Sequence, residues 1–221
     1  MVILVKRGMG DLRRLFMVII LFAISIVQMS GQEIAFITRE NGYFREVYGV
    51  DVKDTTLRTG RYFHYYKGRI IEKGRYHNNR QIGKWQYFNL NNILEYEYDY
   101  DNERIVRIAG KARHELAMAT PCMFKGSPLI PYLFIVGHLN YPEQAKELDI
   151  SGEVELGLRI SKDGTIHSYY LSKKLHPILD RAVMKVAGKI PSEWEFLAAT
   201  HRGNPINGEY RIAIQFELET K

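Results

Sequence analysis

Residues 208–219, GEYRIAIQFELE, alternate almost without a break: Tyr210, Ile212, Ile214, Phe216 and Leu218 fall on one side, and Glu209, Arg211, Gln215 and Glu217 on the other. Successive side chains of a strand point to opposite faces, so this pattern demands a sheet with one dry face and one wet face. Residues 152–161, GEVELGLRIS, repeat the demand with Val154, Leu156, Leu158 and Ile160 set against Glu153, Glu155 and Arg159. Each such side chain contributes about 1.5–3 kcal/mol when buried, enough for two strands to anchor a small core. Lys162-Asp163-Gly164 reads as a turn, and residues 165–172 return as the partner of a hairpin.

Two helices frame that hairpin. Pro142 stands at the first helical position of PEQAKELD, with Glu143 early, where an acid suits the helix dipole. Pro177 begins the second, in which Leu179, Ala182, Val183, Val186 and Ile190 keep helical spacing until Pro191 stops it. Trp194 follows in a loop ending at Gly203-Asn204-Pro205. The order is helix, hairpin, helix, strand, and the fold class is α+β.

A different pattern occupies the middle of the chain. Residues 60–82 and 83–105 match at a period of 23, pairing Gly60 with Gly83, Tyr62 with Trp85, Ile71 with Leu94 and Glu72 with Glu95. A fixed period of this size marks a repeat, here strand–turn–strand. Ten of the 15 tyrosines lie between Tyr43 and Tyr100, so the repeats bury an aromatic face. Residues 32–58 carry no clear pattern. Residues 106–140 read as a connector with a short helix-like run and then Pro121, Pro128 and Pro131, whose apolar LIPYLFIV packs onto the domain that follows.

The N-terminus explains where the charge sits. Residues 1–31 hold Lys6, Arg7, Arg13 and Arg14 against Asp11, half of the formal +6. The basic start, the 13-residue apolar stretch 15–27 and the small residues Ser30 and Gly31 form the pattern of a secretory signal, with cleavage expected near residues 31–32. Such a stretch spans about 20 Å as a helix, short of a hydrocarbon core of about 30 Å. Left uncleaved, it would be an anchor. The charge on the remainder is modest and shows no basic stripe, so nucleic acid is not an expected partner. Cys122 is the only cysteine, so the fold is held by its core and not by an intrachain disulfide.

Two resemblances follow. GKWQYFNLNNILEYEY, with the looser copy GRYFHYYKGRIIEKGRY, resembles MORN-type repeats of the G-x-W-x-Y-Y variant, which implies an open meandering sheet over residues 32–105. YPEQAKELDISGEVELGLRISKDGTI, HPILDRAVMKV leading to Pro191 and Trp194, and GNPINGEYRIAIQFEL resemble the C-terminal domain of TonB-family energy transducers, over residues 141–221 and reaching back toward Phe124. In that family the last strand lies near a sheet edge and accepts an extended segment of outer-membrane transporters by main-chain pairing. The resemblance therefore implies a partner-binding strand made of Tyr210, Arg211, Ile212, Ala213, Ile214, Gln215, Phe216, Glu217 and Leu218. It also implies a periplasmic or cell-envelope address and a protein partner, an outer-membrane transporter among the candidates. Family transducers carry a retained membrane helix and a Pro-rich spacer. Here the repeats stand in the spacer's place, and Glu195-Phe196 follow Trp194 where the family often has a proline.

Nothing in the sequence asks for catalysis. GMGDLR follows no strand, FKGS lacks the first glycine of a phosphate loop, and the seven histidines show no HExxH spacing. His64 and His77 read as surface or capping groups, and Asp99 and Asp101 as turn residues. The expectation is a non-enzymatic interaction protein without metal or cofactor. A membrane-anchored transducer and a rigid envelope scaffold stand as the alternatives.

Overall fold

The computed structural model describes residues 32–218 and, upstream of them, residues 2–5, 18–19 and 26–29. Most of the segment read as a signal therefore lies outside the described residues. The chain divides into two units, one of residues 14–116 and 126–129, the other of residues 1–13, 117–125 and 130–221.

The first unit is one antiparallel meander. Strands β4 (Gln32–Asn41), β5 (Phe44–Asp51), β6 (Arg58–Tyr66), β7 (Arg69–His77), β8 (Arg80–Phe88), β9 (Leu94–Asp99) and β10 (Arg104–Ile108) pair in sequence order, and the short β2 (Val18–Ile19) and β3 (Ile26–Met29) pair with β4. Its tight turns follow from left-handed backbone. Lys67-Gly68 and Asn78-Asn79 all have positive φ, which gives two-residue hairpin loops whose twist matches the strands. The unpatterned residues 32–58 form the hairpin β4–β5 and the start of β6.

One face of this sheet is an aromatic layer. Tyr62 and Trp85, the pair the repeat aligned, lie 5.1 Å apart, and Tyr87 stacks on Tyr96 at 4.4 Å. The indole N–H of Trp85 donates to the Arg75 carbonyl at 3.2 Å, and the Tyr62 hydroxyl donates to Glu46 at 2.8 Å. Burial pushes the Tyr62 and Tyr87 hydroxyls well above their ordinary values. Residues 126–129 complete the layer: the Ser127 amide donates to the buried Glu72 carboxylate at 2.6 Å, and the Tyr96 hydroxyl donates to the Gly126 carbonyl at 3.0 Å. His64 lies 3.5 Å from Glu72, and His77 is exposed at a turn, so the two histidines serve different places.

The second unit is the α+β domain. Its main sheet has the order β1–β18–β13–β14, with β1 Val2–Val5, β13 Gly152–Ile160, β14 Ile166–Lys173 and β18 Gly208–Phe216. Helix α1 (Arg113–Met118) precedes it, and α2 (Leu129–His138), α3 (Glu143–Glu147) and α4 (Pro177–Ala187) accompany it. Two small sheets close it: β11 (Ala119–Thr120), β16 (Ala199–His201) and β17 (Asn204–Ile206) in that order, and the pair β12 (Met123–Phe124) with β15 (Phe196–Leu197). Val154, Leu156, Leu158 and Ile160 are buried as the alternation required, under Leu179, Val183, Val186 and Ala187 of α4.

Three local readings change. LIPYLFIV is helical, because Pro131 sits in the first turn, where the N–H it lacks would have no partner. Pro142 is the N-cap of α3, one place before the first helical residue, whereas Pro177 is inside α4 behind the N-cap His176, which accepts from the Ile178 amide. The loop after Trp194 contains β15, β16 and β17, since Arg202 and Gly203 both take positive φ and turn β16 back onto β17.

Gly74 and Gly49 are the most closely packed glycines among the described residues of the first unit. A Cβ at Gly74 would meet the Trp85 ring at 2.2 Å. Gly74→Val is expected to cost about 1–3 kcal/mol, as overpacking does, and urea unfolding followed by tryptophan fluorescence will read it.

Candidate partner-binding strand

β18 pairs with β13 over nine consecutive residues, Phe216 opposite Gly152 through Gly208 opposite Ile160. On its other side, among the described residues, stands only β1, parallel, with Val2 opposite Ala213 and Val5 opposite Phe216. The nine sequence-derived residues divide four ways. Ile212, Ile214 and Phe216 are buried, and the Phe216 ring meets Tyr141 edge-on at 5.4 Å. Tyr210 is half-buried against Phe196, itself in contact with Phe124. Arg211, Ala213 and Gln215 lie on the wet face, while Glu217 and Leu218 fall beyond the strand, which begins earlier, at Gly208.

The wet face is an ordered polar layer. Arg211 bridges Glu209 at 3.0 Å and Glu155 at 3.5 Å. The Tyr170 hydroxyl donates to Glu209 at 2.7 Å, its ring lies against Gly157, and the Arg159 guanidinium lies 4.8 Å from the ring centroid. Hydrogen bonds from Tyr170 and Arg211 hold the Glu209 carboxyl below its ordinary value, and the bond to Glu209 raises Arg211. The sequence reading placed Arg211 on this face but missed Tyr170 and Gly157. The one available signal was a glycine in mid-strand, where a ring needs the room a side chain would fill. A Cβ on Gly157 would meet that ring at 2.8 Å.

The turn between β13 and β14 rests on Asp163. It accepts from the Ser161 and Thr165 hydroxyls and from the Thr165 amide, and these bonds lower its carboxyl to about 2. Gly164 follows at φ +83°, with the Phe196 carbonyl 2.1 Å from where a Cβ would stand. Cys122 is buried, with Gly208 and Ala199 beside it, and burial raises its thiol. That is the setting of a core thiol and not of a nucleophile. Among the described residues no group of three His, Cys, Asp or Glu is placed to hold a metal ion, and no helix is long and apolar enough to cross a membrane.

Residues 137–218 match the family model of the Gram-negative bacterial TonB protein C-terminal. This part of the chain is a TonB C-terminal domain. The match covers α3, the hairpin β13–β14, α4 and β18, the order read from the sequence. TonB C-terminal domains are non-enzymatic interaction domains of envelope proteins, and their partners are proteins such as outer-membrane transporters. No curated protein matches the chain.

Two outcomes test the dry and wet faces of β18. Phe216→Asp places a charge where the side chain is fully buried and is expected to cost about 3–5 kcal/mol, unfolding the TonB C-terminal domain. Arg211→Ala, on the exposed face, is expected to change stability by less than about 0.5 kcal/mol. Chemical denaturation with circular dichroism separates the two. A third outcome concerns pH. Because the Asp163 carboxyl is lowered in the fold, its contribution is present above the ordinary value of 3.8 and is lost as pH falls toward about 2. The Tm gap between the wild type and Asp163→Asn is therefore expected to be largest above pH 5 and to close between pH 4 and 2.

Proposed function

We propose that the TonB C-terminal domain binds an extended segment of an envelope protein by strand addition along β18. The observation that carries this reading is the parallel pairing of Val2–Val5 with Ala213–Phe216. A four-residue segment from outside the family match adds itself to this side of the strand, and main-chain hydrogen bonding is what a sheet edge offers any incoming chain. Residues 2–5 belong to the segment read as a secretory signal. Its removal leaves that side of β18 with no strand partner among the described residues. The buried Ile212, Ile214 and Phe216 hold the strand rigid against the core, so the edge is presented in an ordered form. An outer-membrane transporter is the partner class that the family suggests.

The test places a photoreactive p-benzoylphenylalanine at Ala213, on β18, and in a separate chain at Ser168, on β14 at the opposite edge of the sheet. The proteins are produced in their native envelope. The expected result is a covalent adduct with another envelope protein from position 213 and none from position 168. Equal adducts from both positions, or none from 213, overturn strand addition at β18. Intact mass on the same sample reads the N-terminus. A chain retaining residues 15–27 would move the membrane-anchored transducer into first place.

A further inference from the structure

Strands β6 to β8, Arg58 to Phe88, hold eight Lys and Arg residues and a single carboxylate, Glu72, which is buried. The register decides where these cations point. Directly paired residues of neighbouring strands share a face. Arg45 pairs with Tyr65, Phe63 with Lys73, Arg61 with Arg75, and Lys73 with Gln86. Arg45, Arg61, Lys73 and Arg75 therefore share the face opposite the buried Tyr62, Trp85 and Tyr87. Net charge does not reveal this cluster; Glu40, opposite Arg45, and Glu97, opposite Gln86, stand at its margins, and Arg61 and Arg75 lie between them.

Two observations mark this array as unfinished. Arg61 and Arg75 stand directly opposite each other, both exposed, and like charges so placed repel. Among the described residues none of the four cations is in an ion pair. The chemistry of the face then narrows its occupant. The Arg45 guanidinium lies 4.3 Å from the Tyr65 ring centroid and the Lys73 ammonium 5.2 Å from that of Phe88, so the rings carry cations where a base or sugar would stack. Among the described residues of this unit the exposed large apolar side chains, Tyr43, Val52, Leu90 and Ile93, sit in turns between strands and do not arm the face for entry into a bilayer. What the face offers is charge at strand spacing. Lys73 and Arg75 are two residues apart on one strand, about 7 Å, which is also the spacing of same-side carboxylates on an extended acidic peptide.

We propose that this face docks an Asp- and Glu-rich segment of a protein partner, with Arg61 and Arg75 as its central contacts. Guanidinium groups take carboxylates in bidentate hydrogen bonds, and an acidic side chain between the two relieves their repulsion. This surface is separate from β18, and its test does not depend on strand addition.

The experiment measures fluorescence anisotropy of labelled poly-L-glutamate titrated with the full chain, at 50 and 200 mM salt. The expected result is saturable binding that weakens with salt, and at least a tenfold loss in the double variant R61Q/R75Q with its Tm unchanged or raised. The control R181Q/K185Q removes two exposed cations of α4, outside the repeat sheet, and is expected to bind within about twofold of the wild type. The proposal is overturned if poly-L-glutamate does not bind, if R61Q/R75Q binds as the wild type does, or if the control loses as much. Tighter binding to phosphatidylglycerol vesicles or to duplex DNA than to poly-L-glutamate overturns it as well.

Discussion

The TonB C-terminal domain depends on the antiparallel pairing of Gly152–Ile160 with Gly208–Phe216. These strands are 48 positions apart in the chain, Ile160 to Gly208, yet pair without a bulge. Their common dry face assembles Val154, Leu156, Leu158, Ile212, Ile214 and Phe216 into one apolar surface. Helix α4 covers it with Leu179, Val183 and Val186, and α3 contributes Ala145. A one-residue slip would invert both faces at once, burying Glu153, Glu155 and Arg211 and exposing the core. That penalty is why the register is specified so strongly. It also holds β18 rigid against the core.

The repeat unit applies the same period of two to a different end. Its dry face is built from rings and not from aliphatic side chains, so specificity rests on stacking geometry and on hydroxyl partners such as Glu46 for Tyr62 and Tyr100 for Tyr87. Large rings on adjacent strands need room, and Gly74 supplies it beneath Trp85. Buried Glu72 is held by the Ser127 amide, so a carboxylate inside the layer keeps a donor. The residues between the rings necessarily emerge on the other side, and there they are Arg61, Lys73 and Arg75.

Much of this was legible in the chain itself. The alternation of residues 152–160 and 208–216 announced both strands and their faces, because a half-buried strand is written with a period of two. The 23-residue repeat announced the meander and aligned Tyr62 with Trp85, which are in contact. Other features were not legible, for physical reasons. Pro131 reads as a helix breaker unless its place in the first turn is known. Arg202-Gly203 looks like loop until β16 and β17 are seen to pair across it. The polar layer of Tyr170, Glu209 and Arg211 joins residues up to 41 positions apart, and no local pattern records that meeting.

The sequence by itself determined the repeat strands, the strands β13, β14 and β18 with their dry faces, and the start of α4, since each follows from local periodicity and from the backbone limits of Pro and Gly. Only the tertiary structure decided which strands are neighbours. It placed β18 between β13 and Val2–Val5, brought Arg61 opposite Arg75, and set the carboxylate of Glu72 against the amide of Ser127. Pairing is a property of distant segments competing for the same hydrogen bonds and the same apolar surface. The proposed strand addition would draw on main-chain hydrogen bonding along β18, and the proposed acidic segment on the surface charge of β6 and β7.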